Sequence, residues 1–80
     1  MKARVTIMPK SGVLDPQGKA IQGALTGLGF ANIAEIRQGK LIEVTVNETD
    51  PAKARVEIEG MCKKLLANPV MESFSIELIG

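Results

Sequence analysis

Cys62 is the only thiol in the chain, and the sequence contains no histidine. A cysteine or serine nucleophile usually passes its proton to an imidazole, and zinc is most often held by one. Acyl transfer and zinc chemistry therefore both lose their customary partner. No second cysteine supplies the paired thiolates that soft-metal carriage needs, which sets copper transfer aside. Cys62 falls at helical spacing between Ile58 and Leu65 and reads as a small core hydrophobe. No residue is assigned a catalytic, cofactor-binding or metal-binding role.

The remaining polar signals are local. Asp15-Pro16 and Asp50-Pro51 each place a carboxylate just before a proline, the arrangement that caps a helix: the oxygen accepts free backbone amides, and proline lacks the amide that the first turn would leave unpaired. The glycine-flanked run "GVLDPQGKA" lacks the Gly-Lys-Ser/Thr ending of a phosphate-binding loop. Gly18 stands three residues after the cap, where Glu or Gln would ordinarily reach back to the cap's amide. Two reasons for a glycine stay open there: close approach by another chain's backbone, or relief of crowding against the last strand or the Pro9 loop. Arg37 and Lys40 flank Gln38-Gly39 and read as charges that keep a strand edge soluble. A sheet that binds RNA stacks bases on aromatic side chains, but the central positions here are Arg4, Thr6, Glu43 and Thr45.

The elements that must carry these residues follow from periodicity. "KARVTIMP" alternates Ala3, Val5 and Ile7 with polar residues and predicts a half-buried strand. Ile21, Ala24, Leu25 and Leu28 predict an amphipathic helix that begins at Pro16 and is closed by Gly29. "FANIAEIR" and "KLIEVTVNE" predict two strands joined by a tight turn at Gln38-Gly39, where glycine would supply a positive φ. Ile33 and Ile36 fall on opposite faces of the first of these. Ala54, Ile58, Met61, Cys62 and Leu65 mark a second helix starting at Pro51 and ended by Pro69. Phe74, Ile76 and Leu78 mark a last strand. The expectation is an α+β, ferredoxin-like βαββαβ sandwich: a four-stranded antiparallel sheet with both helices on one face.

With 80 residues the chain reads as a single domain, residues 1–80. Ten basic and nine acidic residues give a formal net charge of +1, too little to draw the chain to nucleic acid or an anionic membrane. No apolar run reaches the ~20 residues of a membrane span, and a lone cysteine suits a reducing compartment, so a cytoplasmic location is expected. A single sheet covered on one face leaves edges open, which predicts a homodimer or a larger assembly such as a tetramer.

Three stretches together, "GVLDPQGKAI" leading to "LGF", "RQGK" followed by "IEV", and "MCKKLLANPVMESF", resemble the PurS-type small-subunit family of phosphoribosylformylglycinamidine synthase over nearly the whole chain. The resemblance implies a non-catalytic subunit of a glutamine-hydrolysing, ATP-dependent ligase of purine biosynthesis. It would join a large synthetase subunit to a glutaminase subunit and support ammonia transfer. ATP, Mg2+ and glutamine would be used by the assembled complex, with no cofactor on this chain. Within or beside those stretches, Asp15, Gln17, Gly18, Arg37, Lys40 and Asn68 are the candidate subunit-interface residues. The alternative, from another class, is a ligand-sensing regulatory module of the amino-acid-binding type, which shares the strand order.

Overall fold

The computed structural model describes residues 1–80. Its elements run β1 (Lys2–Pro9), α1 (Pro16–Gly27), β2 (Lys40–Thr45), α2 (Pro51–Met61), a π-helical turn (Cys62–Leu66) and β3 (Glu72–Leu78). The sheet has three strands in the order β2-β1-β3, with β1 antiparallel to both neighbours. This corrects the expected four-stranded sheet, although the α+β character and the order of these three strands agree with the ferredoxin-like expectation.

The missing strand is "FANIAEIR". Its two isoleucines cannot share one face of an extended strand, and its polar groups pair with α1 and the end of β1 rather than with a sheet edge. The Ile33 carbonyl accepts from Gln22 Nε2 at 3.4 Å, and the Gln38 amide donates to Asp15 Oδ2 at 2.7 Å. The tight turn is absent too. Gly39 has no positive φ. It lies instead against β1, where a Cβ would collide with the Ile7 carbonyl and Met8 Sδ. β1 and β2 are therefore the two arms of a hairpin whose connection, residues 10–39, contains α1.

The core sits on one face of the sheet. Ala3, Val5 and Ile7 of β1 are fully buried, as are Ala54, Ile58 and Cys62 from α2 and the turn that follows it. Register brings Ile42 and Ile76 to either side of Val5, and Val44 and Leu78 to either side of Ala3. Burial of a side chain the size of Val5, Ile7 or Ile58 contributes roughly 1.5–3 kcal/mol. The other face carries a row of alternating charge, Glu43, Arg4 and Glu77, and a Lys2–Glu43 ion pair at 3.1 Å. Such exposed pairs contribute little to stability. No helix is long and apolar enough to cross a membrane.

Leu65 departs from its expected inward position and is 85% exposed. The cause is the π-helical turn, in which the Ala67 amide reaches the Cys62 carbonyl at 3.0 Å. An i→i+5 bond inserts one residue into the helical period. Leu66 and Ala67 thereby take the places against the core that an unbroken α-helix would have given to Leu65. Leu66→Ala should consequently lower the unfolding free energy by about 2 kcal/mol, and Leu65→Ala by less than about 0.5 kcal/mol. Chemical denaturation of the two variants checks this, and equal losses would contradict the π register.

Candidate functional site

α1 begins as its sequence predicts. Asp15 Oδ1 accepts from the Gly18 amide at 3.0 Å, Pro16 occupies the first turn, and the helix ends in a left-handed cap at Gly29 with φ +101°. There Phe30 N–H reaches the Leu25 carbonyl at 3.0 Å and Gly29 N–H the Thr26 carbonyl at 3.1 Å, the paired bonds of a Schellman motif. The helix is well terminated at both ends, yet Gly18 is its only buried residue.

The second oxygen of Asp15 accepts the Gln38 amide, so one carboxylate ties the start of α1 to the chain returning from its far end. These amides, Gly18 first and then Gln38, hold the Asp15 carboxyl below its ordinary value of 3.8. An acid held so low is a weak base, and its geometry is that of a clasp. Gly18 belongs to the same clasp: a Cβ there would collide with the Ile36 carbonyl and stand 2.6 Å from Asp15 Oδ2. The backbone that approaches Gly18 is thus this chain's own residue 36, a neighbour that neither reading of the sequence named.

Arg37 Nη2 donates to the Pro9 carbonyl, fixing the returning segment to the end of β1. Lys40 lies 3.8 Å from Glu72 Oε2, and the other oxygen of Glu72 accepts the Asn68 amide at 2.8 Å. The Asn68 side chain caps the turn into β3 by accepting from Val70 N–H at 3.0 Å. Gln17 is exposed in the first turn of α1. All six candidate residues are gathered at one end of the sheet, where β1 leaves it and β2 and β3 enter. They form two groups there: Asp15, Gln17, Gly18 and Arg37 around the start of α1, and Lys40 with Asn68 through Glu72. Glu72 was not singled out in the sequence because its ion-pair partner Lys40 comes from a distant element. Lys10 was missed for the same reason, and its Nζ donates to the Pro69 carbonyl at 2.9 Å.

A cleft of about 400 Å3 opens beside the clasp, bordered by Lys10, Lys19, Glu35 and Arg37. It mixes both signs of charge and holds no nucleophile beside a base. Cys62 lies elsewhere, inside the core, where burial and then the nearby Glu59 push its thiol up and keep it protonated.

Two expected outcomes test the clasp. Gly18→Ala should destabilise the chain by about 1–3 kcal/mol through the collision at Ile36, whereas Gly60→Ala, with open space around it, should stabilise by up to about 1 kcal/mol. Thermal melts of the two variants should move in opposite directions. Because the folded-state pKa of Asp15 is lowered, its contribution is present above about pH 3.8 and lost as pH falls through the folded value. Asp15→Asn should flatten that part of the acid-unfolding profile, and an unchanged profile would remove the clasp from the stability of the fold.

Comparison with known proteins gives one consistent answer. The family model described as "PurS: Phosphoribosylformylglycinamidine (FGAM) synthase" matches residues 2–80. The Methanocaldococcus jannaschii protein named phosphoribosylformylglycinamidine synthase subunit PurS is 46% identical over 77 residues, covering 96% of this chain and 93% of that protein. A Bacillus subtilis PurS crystal structure superposes with a TM-score of 0.88 at 38% identity, covering 99% of this chain and 98% of the other. A chain in the structure of PurLQS from Thermotoga maritima superposes with a TM-score of 0.87 at 28% identity, covering 98% and 95%. The motifs around Asp15, Arg37 and Asn68 thus sit in a chain matched from end to end, and it belongs to the PurS family of phosphoribosylformylglycinamidine synthase subunits.

Proposed function

We propose that this subunit of phosphoribosylformylglycinamidine synthase, an enzyme of purine biosynthesis, performs no chemical step itself and joins the complex's large synthetase subunit to its glutaminase, supporting ammonia transfer between them. The observation that carries this reading is an apolar helix held out from the body by a fixed clasp. Ile21 is 40% exposed and Leu28 74%, and Phe30 beyond the cap is 60% exposed. A helix with this stripe uncovered and its base anchored is built to be covered by another chain. The protonated Cys62 thiol and the low-pKa Asp15 support a role in contact rather than catalysis.

Self-association as a homodimer or tetramer and a cytoplasmic location belong to the same reading. ATP, Mg2+ and glutamine are assigned to the assembled complex, with no cofactor on this chain. The PurLQS structure from Thermotoga maritima favours the joining role over a ligand-sensing module, because a relative of this chain appears there within a structure of that name.

Reconstitution with the large subunit and glutaminase tests the proposal. Omitting this chain should abolish glutamine-dependent synthesis, and an added ammonium salt should restore product formation by the large subunit without it. Glutamine-dependent rates that are equal with and without the chain would overturn the joining role. Turnover by this chain alone would overturn its non-catalytic character.

A further inference from the structure

The π-helical turn (Cys62–Leu66) takes up one residue more than an α-helical turn, and the residues around it allow a second arrangement. Ile58 and Cys62 are fully buried, and Leu65 follows them at the spacing that keeps one face of an α-helix. The i→i+5 bond from the Ala67 amide to the Cys62 carbonyl breaks that spacing. Leu66 then packs against the core in place of Leu65, which is 85% exposed.

Two leucines in succession thus answer to two registers of one helix end. Passing from the π to the α register exchanges Leu66 for Leu65 at the core, one isobutyl group for another, so the apolar area buried there changes little. The Cys62 carbonyl is not stranded, because it would accept from the Leu66 amide instead of the Ala67 amide. What opposes the α register lies downstream. Ala67 is buried, and the turn after it is held to the end of β1: the Lys10 amide donates to the Met71 carbonyl at 2.8 Å and Lys10 Nζ to the Pro69 carbonyl at 2.9 Å. An α-helical end would feed one residue into that turn, move Ala67 from its buried place and slacken both bonds. Gly60, just before the turn and with open space around it, offers no side-chain packing to resist the change.

We infer that the end of α2 is a two-register switch. The π register, with Leu66 inward and residues 67–71 drawn tight on Lys10, exchanges with an α register in which Leu65 turns inward and that turn gains one residue of slack. The three strands and the buried part of α2 keep their places in both, so the turn that carries Asn68 changes length without unfolding the body. The exchange of leucine for leucine keeps the registers close in energy, and the pinned turn makes the α register the minor one, populated on the order of 1%. Every group involved belongs to this chain, so the inference is independent of the joining role.

A double-substitution cycle read by chemical denaturation tests the switch. In the native chain Leu65→Gln should change the unfolding constant less than about threefold, since that side chain is already exposed. Leu66→Gln should drive the chain into the α register, and on that background Leu65→Gln should change the constant at least about tenfold. Equal effects of Leu65→Gln on the two backgrounds would overturn the inference, as would a Leu66→Gln chain that does not fold, because the second register should rescue it. Relaxation dispersion in NMR supplies the second measurement. The native chain should show microsecond-to-millisecond exchange at residues 62–71, the timescale of helix register shifts. Deletion of Lys64 takes out the extra residue and gives Leu66 the α-helical position, so this variant should fold with the native sheet and lose the exchange. A native chain without exchange at these residues, exchange that persists after the deletion, or a chain unable to fold without Lys64 would each overturn the switch.

Discussion

Ala3, Val5 and Ile7 of one strand are fully buried against Ala54, Ile58 and Cys62 of one helix and the turn that extends it, and this contact forms most of the interior. Partly buried Ile42 and Val44 of β2 and Phe74, Ile76 and Leu78 of β3 pack against that core from the flanking strands. β2 and β3 run parallel to each other on either side of β1, so α2, which links them, must cross the sheet over the central strand. That crossing buries Ile58 against the sheet, whereas α1 buries only Gly18.

Displaced from the sheet, α1 is held by polar means. Two oxygens of Asp15 receive amides from residues 18 and 38, the Arg37 guanidinium reaches the Pro9 carbonyl, and Gly18 allows the returning backbone to pass against the first turn. Hydrogen bonds are directional where apolar burial is not, so this end of α1 is fixed in orientation although little of it is buried. The body and the α1 arm thus depend on different forces: aliphatic packing in one, and a charge-assisted backbone clasp in the other.

The body was legible in the sequence wherever one period governed. β1, β2 and β3 alternate cleanly, and both helix starts carry Asp-Pro, so their positions were read correctly from spacing alone. Reading failed where tertiary context decided. "FANIAEIR" has β-branched residues but no consistent face, and its polar groups found partners on α1 that are invisible in one dimension. Gly39 invited a turn because glycine permits positive φ, whereas the structure uses its missing side chain to bring residue 39 against β1. Leu65 obeyed the 3.6-residue period until a single i→i+5 hydrogen bond shifted it outward. The six candidate residues were gathered at one end of the sheet, but the clasp that unites Asp15, Gly18 and Arg37 needed Gln38 and Ile36, which contribute only backbone atoms.

The placement of α1 inside a hairpin connection bears on how the chain folds. β1 cannot pair with β2 until the connection of residues 10–39 has closed, and it pairs with β3 through a register that joins Ala3 to Leu78. Such non-local pairing slows folding, because loop-closure entropy is lost before the contacts that offset it are made. An early hydrogen bond between Asp15 and the Gln38 amide would shorten the effective loop by bringing the approaches to the two strands together. The clasp would then nucleate the sheet as well as hold the arm, and the order of assembly would run from the periphery of this protein toward its core.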